Sequence, residues 1–324
     1  MIDRLTAVIA AIVINFCLIG CSDASKNEES VAQYDIRVTL LGTGLPTPNP
    51  RQLGPSVLVE AGDTKLLFDC GRGCAHRLWN LGPNYLRGAS HLFLTHMHSD
   101  HTVGIADLYM NGWTQGRAEN LHVYGSAAAD TFMHHLRLAF EQDVVFRADR
   151  QHQIATREAL DYEWVLMENG KSVTIGDATV TSFDVDHADI KPAFGYRIDV
   201  GERSVVISGD TTYSENLVRH SIGADVIIHE VFSPAIVRIV REMFPKNVAD
   251  DIVSLHTLPP DVGRVFTETQ TRLGVFTHLN NDPAGIPELI EQTRTTWDGA
   301  LEVGEDLMVI EIGEEIRVIK PSSD

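Results

Sequence analysis

Three imidazoles and a carboxylate fall within six positions, at His96, His98, Asp100 and His101 of the stretch Leu94-Thr95-His96-Met97-His98-Ser99-Asp100-His101. Imidazole nitrogen and carboxylate oxygen are donors that zinc takes in compact polyhedra. In an extended segment His96 and His98 project to one side, because side chains alternate with period two. Asp100 and His101 fall beyond a turn, where they can address a second metal close by. The bland alternative is a surface histidine cluster that binds metal weakly. Further donors downstream tell against it. His96 follows a β-type run, 91–95, and so does each of His187 (after 179–185), Asp210 (after 204–207, through Ser208-Gly209) and His278 (after 273–277). Any one alone would be an ordinary polar loop residue. Four in one setting predict convergence at one edge of rigid sheets.

The remaining pattern supplies those sheets. Strands are expected over 34–41, 56–60, 65–69, 121–124, 172–175, 193–200, 225–229, 307–312 and 315–319, besides the four runs above. Helical spacing occupies 74–81, 102–113, 126–140, 234–244, 260–269 and 287–297, with Ser126 as an expected N-cap. Residues 141–170 read as irregular with one short strand. Strand pairs early and strand–helix alternation later predict an α/β architecture, sheets covered by helices on their outer faces. Nothing in 34–324 looks like a linker, so one domain is expected there.

Composition bounds the function. Acidic residues outnumber basic ones 45 to 26, a formal charge of −19. Nucleic-acid binding needs a basic face, since phosphate neutralisation carries most of the affinity, so RNA or DNA is disfavoured as a partner. Arg4 followed by the apolar run 5–20 reads as an export signal, slightly short for a bilayer span of about 20 residues. Leu18-Ile19-Gly20-Cys21 resembles the bacterial lipoprotein cleavage box, which implies lipidation of Cys21, removal of 1–20 and membrane attachment through the lipid. Residues 22–33 are polar, as a tether would be. Ser22 after Cys21 hints, by the same resemblance, at the outer membrane of a Gram-negative bacterium. In an oxidising compartment Cys70 and Cys74 could pair, but so short a loop demands particular geometry; two partly buried thiols are the alternative. Two-fold assembly is expected only at its base rate.

The signature His-x-His-x-Asp-His at 96–101 resembles that of the metallo-β-lactamase fold superfamily, and the chain is most similar to its tRNase Z and arylsulfatase branch. Supporting stretches run in order: Leu41-Gly42-Thr43-Gly44, Phe68-Asp69-Cys70-Gly71-Arg72-Gly73, Phe194-Gly195-Tyr196-Arg197-Ile198, Ser208-Gly209-Asp210-Thr211, Ile228-His229-Glu230, His256-Thr257 and Thr277-His278. The resemblance implies an αββα sandwich and two zinc ions per chain, with Mn²⁺ or Fe²⁺ as alternatives. It assigns His96, His98 and His187 to one ion, Asp100, His101 and His278 to the other, and Asp210 to both. Water between two such ions is a nucleophile near neutral pH, and Asp100 is then the expected general base. Asp69 matches an aspartate that supports the ligand histidines, while a turn or cap role is equally open. Glu230 and His256 match the family's proton-donating pair, although Val231-Phe232 stands where tRNase Z carries Ala-Thr. His229 is expected to be structural.

Departures from the RNA-processing pattern bear on the substrate. Bacterial tRNase Z carries a long Gly-rich arm between the ligands matching His187 and Asp210, where this chain has 22 residues. Asp107-Leu108, Gly112-Trp113 and Gly116-Arg117 look closer to secreted arylsulfatase-like members. Arg72 and Arg117 could each pair with a sulfate or phosphate oxygen, and Trp113 could line an aromatic pocket; surface pairing and simple packing are the alternatives. The leading expectation is hydrolysis of a small anionic ester, an aryl sulfate, with a phosphodiesterase acting on a small diester or nucleotide as the alternative. A lactonase or β-lactam hydrolase, and a non-catalytic binding lipoprotein, rank lower.

Overall fold

Central strands that are apolar on both faces need cover on both sides, and this sequence meets that need with three apolar layers. The computed structural model describes residues 34–150 and 158–321; the export signal, Cys21 and tether expected over 1–33 lie outside them. The described residues of Tyr34–Asp324 belong to one compact unit.

The strands are β1 Ile36–Gly42, β2 Ser56–Ala61, β3 Thr64–Phe68, β4 His91–Phe93, β5 Leu121–Gly125, β6 Tyr162–Leu166, β7 Ser172–Ile175, β8 Ala178–Asp184, β9 Phe194–Val200, β10 Arg203–Ile207, β11 Val226–Glu230, β12 Leu273–Thr277, β13 Ala300–Val303, β14 Val309–Ile312 and β15 Ile316–Ile319. They form two mixed sheets, ordered β15-β14-β1-β2-β3-β4-β5-β6 and β13-β12-β11-β10-β9-β8-β7. The helices are α1 Cys74–Leu81, α2 Pro83–Gly88, α3 Ser99–Thr102, α4 Ile105–Thr114, α5 Ala127–Ala139, α6 Glu141–Arg150, α7 Glu215–Ser221, α8 Pro234–Met243, α9 Lys246–Val253, α10 Pro259–Thr269 and α11 Ile286–Thr293.

Alternation along each strand sorts side chains between layers. Ile36, Val38 and Leu40 of β1 meet Val205, Ile207 and Ile228 between the sheets. Leu58, Leu67 and Leu92 face outward under Leu78, Leu108 and Trp113 of the first helical layer. Val206, Ile227 and Phe276 lie under Leu217, Val265, Phe266 and Leu289 of the second. This is the expected αββα sandwich.

Strand direction then fixes where the site must be. β3 through β6 run parallel, as do β10 through β13. β8 is antiparallel to β9, itself antiparallel to β10, so β8 and β10 point the same way. The carboxyl ends of β3, β4, β8, β10, β11 and β12 lead into Asp69, His96, His187, Asp210, Glu230 and His278. Loops beyond such ends are where parallel sheets gather ligands. The two sheets are tied there: the Phe194 amide donates to the Thr95 carbonyl at 2.8 Å, and the Tyr196 hydroxyl donates to the Leu94 carbonyl at 2.7 Å.

Several elements differ from expectation. The helix expected over 102–113 is two helices, α3 and α4, broken at Val103-Gly104. There the Gly104 amide donates to the Cys70 carbonyl at 2.9 Å, and a Cβ on Gly104 would lie 2.1 Å from the Gly71 carbonyl oxygen. Close approach to the Cys70–Gly71 turn therefore interrupts the helical period. Ser126 occupies the N-cap of α5, but its side chain accepts no capping hydrogen bond. The 141–170 stretch carries α6 besides its one strand, β6. α2, α7, α9 and β13 also lack an expected counterpart; the cap of α7 was readable, since the Ser214 hydroxyl accepts from the Leu217 amide. Cys70 and Cys74 are joined as a disulfide between buried residues.

Candidate metal centre and catalytic site

The signature begins where β4 ends and turns into α3, with His98 as the N-cap. Two groups of donors converge there. The ligand atoms of His96, His98, His187 and Asp210 lie within 4.8 Å of one another, and so do those of Asp100, His101 and His278. Asp210 faces both groups: its Oδ1 is 3.3 Å from His101 Nε2, and its Oδ2 is 3.9 Å from His96 Nε2 and 3.5 Å from His278 Nε2. Asp100 Oδ2 is 3.1 Å from His278 Nε2 and 3.5 Å from His101 Nε2. His98 is half-buried and the other six are buried.

Burial disfavours charge on Asp100, Asp210, His96 and His101, yet their neighbours reverse that for three of them. Burial would raise Asp100, but its hydrogen bond with His278 and the charge of His101 bring it down to about 2. Asp210, also opposed by burial, is held well below the carboxylate range by His278 and His101. Burial drives His96 well below the ordinary imidazole value, whereas Asp210 and Asp69 outweigh burial at His101 and hold it well above. Two acidic groups thus stay ionised among imidazoles, and carboxylate and imidazole are the donor types a divalent cation takes. The Nε2 atoms of His96 and His101 are buried with no hydrogen-bond partner among the described residues. Buried polar atoms normally have one, and a divalent cation between the imidazoles and Asp210 would supply it.

Beside this cluster stands a second device. Glu230, the last residue of β11, is buried, and its Oε1 accepts from the Thr211 amide at 3.2 Å, the Thr257 amide at 3.1 Å and His256 Nδ1 at 3.1 Å. With Nδ1 so engaged, the His256 Nε2 edge remains for the donor cluster, where its ring lies 5.6 Å from that of His278. Burial would lower His256, but the charge and hydrogen bond of Glu230 raise it to about 9. Phe232, one of the two departures from the tRNase Z motif, stacks on the His256 ring at 4.8 Å and 7°. His229 is fully buried, its Nδ1 donating to the Glu230 carbonyl at 2.6 Å, as befits a structural histidine.

The expected substrate contacts fare differently. Trp113 is 0% exposed in the first helical layer and cannot line a pocket. Arg117 is 3% exposed, and its guanidinium donates to the carbonyls of Leu108, Tyr109, Glu119 and Ala159. Its N–H groups tie α4 to neighbouring loops, and a ligand would have to displace those carbonyls. Both expectations are corrected. Arg72 is exposed and lines a cavity of about 590 Å³ with His76, Arg77, Asn80, Val103 and Gly104. Thr95, Ser208 and Thr211 also hold the site together: Thr95 donates to Asp69, the Thr211 amide to Glu230, and the Ser208 hydroxyl accepts from the Glu230 amide, with only nearness to a ligand in sequence to mark them.

A family model described as "Anti-Pycsar protein Apyc1" matches residues 36–262. The chain belongs to that family. The matched stretch of this Apyc1-family chain contains every candidate site residue named above except His278. It is also 30% identical over 285 residues to a ribonuclease Z of Mycobacterium bovis (strain BCG / Pasteur 1173P2), covering 86% of this chain and 98% of that protein. Among solved structures, the metallo-beta-lactamase fold protein YhfI from Bacillus subtilis superposes with a TM-score of 0.64 at 21% identity, over 85% of this chain and 98% of that one. Human tRNase Z, short form, gives 0.62 at 20%, over 86% and 99%. The Apyc1-family chain therefore has the metallo-β-lactamase fold, on the tRNase Z side of the superfamily. The kinship with a ribonuclease Z supports a metal-dependent hydrolase of ester bonds and lends nothing to the expected aryl sulfate.

Proposed function

We propose that this chain is a metal-dependent phosphodiesterase that hydrolyses a small diester or nucleotide, exported as a lipoprotein anchored through Cys21. The observation that carries the reading is the buried Glu230–His256 pair beside the donor cluster. An alkoxide leaving a phosphodiester is strongly basic and needs a proton as its bond breaks, whereas the phenoxide of an aryl sulfate leaves with little help. A built-in proton donor is therefore of most use on a diester. Kinship with a ribonuclease Z, whose name denotes phosphodiester cleavage, supports the same chemistry. The −19 charge favours a small substrate over a large polyanion.

In this reading His96, His98 and His187 would hold one ion and Asp100, His101 and His278 a second, with Asp210 placed to serve either group. Zinc, when bound, supplies charge to the phosphoryl oxygens and acidifies water. Asp100 orients the attacking water and accepts its proton. His256 delivers a proton from Nε2 to the leaving oxygen, and Glu230 holds the imidazole in the tautomer and charge state for doing so. The test is removal and return of the metal. A chelated chain should lose diesterase activity and recover it with about two zinc ions per chain; full activity without metal would reject the reading.

A further inference from the structure

One buried carboxylate lies behind the donor groups, bonded directly to His101 and, through Thr95, linked to His96. Asp69 sits in the left-handed region at φ 54°, its amide donating to the Phe93 carbonyl at 2.8 Å and its carbonyl accepting from the Ser56 hydroxyl at 3.1 Å. So held, its Oδ1 accepts from the Thr95 amide at 2.8 Å, and its Oδ2 accepts from the Thr95 hydroxyl at 2.8 Å and from His101 Nδ1 at 2.7 Å. Thr95, 1% exposed, also has its Oγ1 3.0 Å from His96 Nδ1.

Proton accounting fixes the direction of this chain. An ionised carboxylate accepts only, and a hydroxyl has one proton to give. A charge-assisted bond to the carboxylate is the stronger use of that proton. Thr95 Oγ1 must then accept from His96, which places the His96 proton on Nδ1 and leaves Nε2 bare. At His101 the direct bond to Asp69 protonates Nδ1 as well. Both Nε2 atoms are the buried, unpartnered ones that face Asp210.

We infer that Thr95 is a positioning residue through which Asp69 sets the tautomer and aim of a histidine in each donor group, His101 directly and His96 by relay. The inference rests on the metal-centre reading above. His187 lies outside this relay, its Nδ1 oriented instead by the Leu255 carbonyl at 2.9 Å.

The experiment measures zinc affinity by competition with a chromophoric chelator, independently of turnover. Thr95→Val, which keeps the shape and removes the hydroxyl, should weaken zinc binding about 10- to 100-fold, the usual effect of losing a partner behind a ligand. Thr95→Ser should restore native affinity, and adding Thr95→Val to Asp69→Asn should cost nothing beyond Asp69→Asn alone. Native affinity in Thr95→Val, or Thr95→Ser as weak as Thr95→Val, would overturn the relay. Should the valine variant not fold, long-range ¹H–¹⁵N correlations on the unaltered, zinc-free chain decide: the His96 proton belongs on Nδ1, and finding it on Nε2 refutes the inference. Failure of the unaltered chain to bind zinc at all would instead reject the metal centre, a separate outcome.

Discussion

Asp210 is the side chain on which the two donor groups meet, with one oxygen toward His101 and the other toward His96 and His278. Asp210→Ala would leave those imidazoles without their shared anion, so its bound zinc should fall from about two per chain to one or none, as read by elemental analysis after dialysis. Glu230 acts through His256, whose ring lies beside that of His278 in the donor cluster. Glu230→Gln keeps the size of the side chain but removes the charge that holds His256 protonated. General acid catalysis is worth about 10²- to 10⁴-fold, so kcat for a diester with an alkoxide leaving group should drop by that order. For a p-nitrophenolate leaving group the drop should be much smaller. Equal loss on both would show that Glu230 does not serve leaving-group protonation.

At the scale of elements, the metal loop depends on a turn beneath it. The Cys70 amide donates to the His101 carbonyl at 2.8 Å, the Gly104 amide donates to the Cys70 carbonyl at 2.9 Å, and the disulfide to Cys74 joins that turn to the start of α1. Gly104→Val would drive a methine into the Gly71 carbonyl. Overpacking of this kind costs about 1–3 kcal/mol, and because the loop must move, zinc affinity should fall along with Tm. A variant that loses stability yet binds zinc normally would show the turn and the loop to be independent.

This is also the scale at which the sequence was most and least legible. Ligands at strand ends were readable because each follows a β-type run, and the direction of the strands does the rest. The break between α3 and α4 was not, because it arises from Gly104 approaching a carbonyl more than thirty positions earlier. α6 was hidden because EQDVVFRADR carries few apolar residues to mark a helical face. Trp113 and Arg117 were misread for one reason: types that suit a binding pocket also suit a packed helix, and only tertiary burial separates the two uses. Thr95 gave no sign beyond its place next to His96.

At the scale of the whole molecule, a −19 chain presents its cluster of metal-type donors at one edge of two rigid sheets. Long-range repulsion should keep a transfer-RNA-sized polyanion away, so binding to such an RNA at physiological salt should be undetectable by filter retention. Tight, salt-sensitive retention would contradict the small-substrate reading. The most direct test of the central claim compares kcat/KM of the zinc-loaded chain on a nucleotide p-nitrophenyl diester and on p-nitrophenyl sulfate, which share one leaving group. The diester should be the better substrate, with its turnover abolished in Asp100→Ala; a higher kcat/KM for the sulfate would overturn the phosphodiesterase assignment.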